Sequence, residues 1–170
     1  MKKAIACFLL LLGLDFASKA IAVDAIPPMG FADRVYPFGG IGILPDLFGV
    51  TFSLNYVVNT GAAWGFFAGY SGLLFIVRCA IIACMIGYLI ASRRKSFLSK
   101  ASAFCLGLVA TGAVGNAVDY CLYGHVIDFL HFTFWGWSFP IFNLADSCIT
   151  LGVLGLLLAS KKAKQPISSL

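Results

Sequence analysis

The sequence predicts an all-α membrane protein, a four-helix transmembrane bundle with a small extracytoplasmic β-containing segment. Of the 170 residues, 61% are hydrophobic and 11% charged, and the mean hydropathy is +0.95, far from an ordinary soluble domain. The charges are also sorted. Nine of the twelve basic residues fall in three clusters: Lys2 and Lys3; Arg93, Arg94, Lys95 and Lys100; and Lys161, Lys162 and Lys164. All seven acids are aspartates, and none lies in a cluster. The apolar sequence between clusters is long enough for a pair of crossings, each needing about 20 residues. The positive-inside rule then puts every cluster in the cytoplasm, which gives four spans, both termini inside, in a single integral membrane domain over residues 1–170. The net charge of +5 follows from that topology and does not call for a nucleic-acid partner.

The first span covers about residues 4–23. A secretory signal peptide is the competing reading, with Met1-Lys-Lys as its n-region, Ile5 to Leu14 as its h-region and Ala20-Ile-Ala22 as a cleavage site. Against cleavage, Asp15 and Lys19 stand at i and i+4 on one helical face, where they can pair. Such a pair either sits among lipid headgroups, with Lys19 snorkelling, or helps to shape a site.

An extracytoplasmic segment follows over about residues 24–70, rich in proline and glycine. Its stretch Thr51-Phe-Ser-Leu-Asn-Tyr-Val-Val is rich in β-formers and partly alternates, so it predicts a short strand or two. Asn59-Thr-Gly-Ala-Ala-Trp-Gly, with Phe66 and Phe67 behind Trp64, reads either as an interfacial aromatic anchor or as a place where a substrate strand approaches, with Asn59 as a hydrogen-bonding group.

The second span, about residues 71–92, carries Arg78 about two turns from its outer end, where snorkelling to the headgroups is the simplest expectation. A cytoplasmic loop over about 93–100 leads to the third span, about 101–118, whose Gly107, Gly112 and Gly115 allow close helix packing in lipid. Asn116 and Asp119 stand at i and i+3 at its outer end. The second extracytoplasmic stretch, about 119–140, is crowded with aromatic residues suited to the headgroup belt. Asp128 stands out there, flanked by Val126, Ile127, Phe129 and Leu130. The fourth span, about 141–160, brings Asn143 and Asp146, again at i and i+3, with Asp146 one to two turns inside the membrane.

Six cysteines, mostly within spans, suit small apolar packing better than a disulfide framework. His125 and His131 lack a metal-ligand spacing, and no phosphate-binding glycine loop occurs, so neither a metal nor a cofactor is expected. What remains is carboxylates. An aspartate inside a bilayer costs roughly 3 kcal/mol and usually faces a bundle interior. Two held close together share one proton; one member can then activate water while the other polarises a carbonyl. Asp128 and Asp146 form such a pair if the outer stretch folds back over the fourth span, with Asp119 as an orienting neighbour. In the alternative, the acids merely pair with Arg34, Arg78 or Lys19.

At these residues the sequence resembles the lipoprotein signal peptidases, or signal peptidase II, aspartic proteases of the bacterial inner membrane. Five motifs carry the resemblance in order: Asp15-Phe-Ala-Ser-Lys19, Asn59-Thr-Gly-Ala-Ala, Gly115-Asn-Ala-Val-Asp119, His125-Val-Ile-Asp-Phe129 and Phe142-Asn-Leu-Ala-Asp146. It implies a catalytic dyad of Asp128 and Asp146, supported by Asp15, Lys19, Asn59, Asn116, Asp119 and Asn143, with no metal. It also implies a monomer, surrounded by membrane lipid, that cuts prolipoproteins before a diacylglyceryl-modified cysteine near the outer leaflet. Tyr120 departs from the family, which usually has arginine after the aspartate, and this puts in question any ion pair that arginine would make. Two readings of other classes compete: a proton-coupled small carrier using the buried acids, and a non-catalytic assembly subunit.

Overall fold

The computed structural model describes residues 2–27, 40–60, 71–95 and 98–163. Among the described residues the elements run α1 (Lys2–Ala25), β1 (Ile41–Leu47), β2 (Val50–Asn59), α2 (Ser71–Lys95), α3 (Lys100–Tyr123), β3 (Val126–Phe134), β4 (Trp137–Ser138) and α4 (Leu144–Ala163). Arg34, Trp64, Phe66, Phe67 and Lys164 lie outside the described residues.

Among the described residues, α1, α2 and α3 are long and apolar enough to cross a membrane; the apolar stretch of α4 is shorter, Leu144–Ala159. Their large side chains are turned outward: Leu9, Leu14, Ile21, Ile76, Ile81, Leu151 and Leu158 are all exposed. In water such a surface would associate, whereas lipid solvates it. The interior of the bundle is correspondingly poor in apolar bulk and rich in polar groups, with Asp15, Lys19, Asp119, Asp128, Asn143 and Asn55 all buried.

Helix α3 packs against α1, α2 and α4, most extensively against α4. The glycines make that approach possible. A Cβ on Gly112 would collide with the Ala145 carbonyl oxygen of α4, and one on Gly115 would come within 2.7 Å of the Asp15 carboxylate of α1. Both are positions where only glycine lets the helices reach this spacing.

The strands form one antiparallel sheet in the order β1-β2-β3-β4. Phe48-Gly49 and Trp135-Gly136 all have positive φ, so each tight turn has the hairpin geometry that matches strand twist. The strand expected around Thr51–Val58 is present as β2. The stretch at 119–140 differs from the expectation of an aromatic extracytoplasmic link. Helix α3 runs on to Tyr123 and is stopped by Gly124 in the left-handed conformation, and the chain then forms β3. Asp119 therefore lies within a helix. Residues Val126 to Phe129 of β3 are all buried, Asp128 included, so burial is continuous along this part of the strand and does not alternate.

Helix α4 starts at Leu144, three residues later than expected, because Asn143 is its N-cap. The Asn143 Oδ1 accepts from the Asp146 backbone N–H (2.9 Å), and the Asp146 Oδ2 accepts from the Asn143 backbone N–H (3.2 Å). This reciprocal pair is a capping box. A two-residue bridge between Leu130 and Phe142 ties the residue before this cap to β3, so the start of α4 and the middle of β3 are held together.

Replacing Gly112 with alanine is expected to force α3 and α4 apart and cost about 1–3 kcal/mol by overpacking. Gly13, which has nothing within 4 Å of a built Cβ, is the control, and Gly13→Ala should be neutral or slightly stabilising. Unfolding midpoints in detergent micelles measure both.

Candidate active site

Four acids converge at the end of the bundle that carries the sheet, and the hydrogen-bond partners divide them into two classes. Lys19 serves the first. Its Nζ is 2.7 Å from Asp15 Oδ2, 2.7 Å from Asp119 Oδ2 and 3.1 Å from Asn116 Oδ1, which uses all three donors of an ammonium group. The side chain is 2% exposed, so Lys19 is not the headgroup snorkel that its position in the sequence allowed. The free oxygen of Asp15, Oδ1, accepts from the backbone N–H of Ala145 at 2.8 Å. Ala145 lies in the first turn of α4, where N–H groups lack helical partners and favour an anion. Asp119 Oδ2 also takes the Ile127 backbone N–H at 3.4 Å, which links α3 to β3. Tyr120, at the family's arginine position, stacks on Phe75 with ring centroids 4.9 Å apart, and Asp119 takes its positive partner from Lys19 instead.

The second class is held by neutral amides. Asp128 receives Asn143 Nδ2 on Oδ1 at 2.7 Å and Asn59 Nδ2 on Oδ2 at 2.9 Å. Asp146 receives Asn116 Nδ2 on Oδ1 at 2.8 Å, besides the backbone N–H of Asn143. The capping bond fixes which way Asn143 faces: its oxygen points to α4, so its NH2 turns toward Asp128, Asn116 Oδ1 (3.0 Å) and the Ile127 carbonyl (3.2 Å). Asn116 Oδ1 takes both Lys19 and Asn143, and joins the two classes into one network. The two Asn-x-x-Asp motifs use their asparagines differently. Asn116 bonds Asp146 rather than Asp119, and Asn143 precedes its helix and holds Asp128 through its side chain.

A buried amide donor orients a carboxylate without cancelling its charge. The Asp128 carboxyl is accordingly pushed up from 3.8 to about 6, first by burial and also by the nearby Asp146 charge, against the lowering by Asn59, Lys19 and Asn143. Asp128 comes from β3, opposite Val57 of β2, and a register shift between Leu54 and Val57 lies just before the stretch that carries Asn59.

All eight residues singled out in the sequence meet in this cluster. Sequence reasoning did not place Arg78 there. It lines a cavity of about 250 Å³ with Asn59, Asn116 and Asp146, walled by Ile81 and Ile82 of the same helix. His131 belongs to the sheet: its ring nitrogens lie 3.3 Å from Ser53 Oγ and 2.8 Å from Ser138 Oγ. Among the described residues no group of three or more His, Cys, Asp or Glu is arranged to hold a metal ion.

Comparison with known proteins gives one consistent family. Residues 7–162 match the family described as signal peptidase (SPase) II. A lipoprotein signal peptidase of Symbiobacterium thermophilum is 40% identical over 147 residues, covering 86% of this chain and 91% of that protein. One of Chlamydia pneumoniae is 39% identical over 104 residues, 61% of each. A solved bacterial membrane enzyme shares the fold with a TM-score of 0.76 at 24% identity, covering 100% of this chain and 95% of that one. These relatives lend the carrier reading no support.

Two outcomes follow from the electrostatics. Lys19→Met leaves Asp15 and Asp119 buried without their cation and is expected to cost about 3–5 kcal/mol; adding Asp119→Asn should restore part of it, as read from unfolding in micelles. For Asp128, the folded chain holds a proton up to about pH 6 that the unfolded chain releases near 3.8. The resulting stability is full below the unfolded value and is lost as pH rises through the folded one. Wild type should therefore gain stability relative to Asp128→Asn between about pH 7.5 and about pH 5. The difference in melting temperature between the two proteins checks it, because His131 titrates in both and cancels.

Proposed function

The chain belongs to the signal peptidase II family, and we infer from that premise and from the amide-held pair that it works as an aspartic endopeptidase. It is a multi-pass membrane hydrolase that removes signal peptides from lipoprotein precursors. Asp128 and Asp146 are the catalytic dyad of this reading, and the observation that carries it is the division of the acids. Lys19 places one positive charge between Asp15 and Asp119, while Asp128 and Asp146 are oriented by asparagine amides and keep their capacity to exchange a proton.

The chemistry runs on one shared proton. Asp128, with its raised pKa, is the protonated member and donates to the oxygen of the scissile carbonyl. Asp146 takes a proton from water, whose oxygen bonds to the carbonyl carbon to give a neutral gem-diol. Asp146 then gives its proton to the peptide nitrogen and Asp128 takes one back from a gem-diol hydroxyl as the C–N bond breaks, leaving a carboxyl on the signal peptide, an amine on the following cysteine and the pair in its starting state. Asn116, Asn143 and Asn59 hold the carboxylates in line for these transfers, and Lys19 with Asp15 and Asp119 locks α1, α3 and α4 behind them. The cysteine carries a diacylglyceryl group, which enters sideways from the bilayer.

The same reading sets the topology. Helix α4, with 20 residues, is about 30 Å long and forms a fourth span against α3. Lys2 begins α1, and the loop from Lys95 to Lys100 joins α2 to α3; both lie at the bundle end away from the site. The positive-inside rule puts that end in the cytoplasm of a bacterial inner membrane and the site at the outer leaflet. Helix α1 is retained, since Asp15 and Lys19 are integral to the site, and the protein acts as a monomer because a single chain supplies every group of the network.

Asp128→Asn and Asp146→Asn are each expected to lower cleavage of a purified diacylated prolipoprotein at least about a thousandfold, roughly 4 kcal/mol of barrier, while both variants stay folded and inserted. A chelator should leave the wild type active. Near-wild-type processing by either variant, read by mass spectrometry of the released peptide, would overturn the dyad.

A further inference from the structure

We propose that Arg78 is a substrate-binding residue, whose guanidinium donates hydrogen bonds to a carbonyl oxygen of the bound precursor across the cavity from Asp146. The proposal rests on the peptidase reading and adds to it the group that grips the substrate beside the catalytic pair. Arg78 was expected to reach the lipid headgroups. It instead lines the 250 Å³ cavity whose opposite side includes Asn116 and Asp146.

The ion pairs among the described residues are the two made by Lys19. No described carboxylate therefore lies within ion-pair distance of Arg78, although Asp146 lines the same cavity. The site acids already have their partners: Lys19 for Asp15 and Asp119, Asn59 and Asn143 for Asp128, and Asn116 and the Asn143 backbone for Asp146. A guanidinium offers five N–H donors in a planar fork, accepts nothing and stays charged. In a helix within an apolar bundle such a group is tolerated when it faces a polar interior cavity, and there it marks the path of a ligand. Asn116 and Asn59 each give an amide N–H to a carboxylate, and Arg78 adds a charged fork of donors to the same cavity wall for an incoming acceptor.

The cavity also defines what that acceptor is attached to. Ile81 and Ile82 flank Arg78 on α2, with Ile149 of α4 and Val126 of β3 completing an apolar lining. A neutral carbonyl borne on apolar chemistry fits donors set among isoleucines, whereas a second carboxylate would meet the negative Asp146 side. A lipid-modified precursor has such carbonyls in two places, in the peptide main chain next to the scissile bond and in the esters of its glyceryl group.

The test uses the full-length protein in lipid nanodiscs with two precursor peptides, one bearing a diester-linked and one a diether-linked glyceryl cysteine. Arg78→Met is expected to raise KM about tenfold on at least one of them, with kcat changed by less than about twofold, and Arg78→Lys, which keeps the charge and loses the fork, should fall between. A rise on the diester alone assigns the lipid ester; an equal rise on both assigns the peptide carbonyl. In the inactive Asp128→Asn background, the Kd of uncleaved substrate should weaken by the same factor. If Arg78→Met does not fold, Arg78→Lys and Arg78→Gln give the same comparison. Unchanged KM and Kd on both peptides, as a headgroup anchor predicts, or a loss confined to kcat, overturns the proposal. Failure of the wild type to cleave either peptide would instead overturn the peptidase reading, and the two failures are thus separable.

Discussion

Lys19 places one ammonium between Asp15 and Asp119 at 2.7 Å from each, and much of the site's geometry depends on that contact. Two buried carboxylates with no cation would repel each other and carry the desolvation cost of both. With Lys19 between them, α1 and α3 are joined, and the second oxygen of Asp15 remains available to the N-terminus of α4. The position of α4 relative to α1 is set by that bond, and the start of α4 carries Asp146, with Asn143 as its cap. The close approach is possible because Gly112 and Gly115 remove side-chain volume where α3 meets its neighbours.

Against this lysine-held half, the other two acids are held differently. Amides orient a carboxylate with nearly the directionality of a charged donor but leave its charge for the surroundings to oppose. Burial of Asp128 on β3 therefore raises its pKa to about 6, where a carboxylic acid can still give a proton at moderate pH. Exchanging the roles of lysine and asparagine would leave ionised, ion-paired carboxylates at Asp128 and Asp146 and weaken proton exchange there. The sheet contributes by carrying Asp128 over the start of α4, a placement fixed by the Leu130–Phe142 bridge.

Much of this was legible in the sequence. Apolar runs between the basic clusters marked the long helices, and aspartates set in apolar sequence are the ones that the structure gathers into one cluster. The Asn-x-x-Asp spacing marked four residues that the structure gathers into one hydrogen-bonded network. In α3 the two side chains lie on related faces but bond to different helices, and in α4 the spacing is a capping box, whose first residue stands outside the helix. Strand β3 was hidden because both of its faces are buried over Val126 to Phe129, which removes alternation and makes the run resemble a membrane-anchoring aromatic stretch. Lys19 and Arg78 were ambiguous for one reason: a long cationic side chain near a span's end can reach either headgroups or a cavity, and tertiary packing alone decides between them.

The account's central claim is that the amide-held pair keeps a proton on Asp128 while the Lys19-held acids do not share it. Infrared titration of the carboxyl stretch, in normal and heavy water, reads that proton directly. The account predicts a protonated-carboxyl band that grows as pH falls through about pH 6, near the Asp128 value, and a step that is missing from Asp128→Asn over that same pH range. The same step surviving in Asp128→Asn, or a wild type with no such step between about pH 7 and about pH 5, would contradict it.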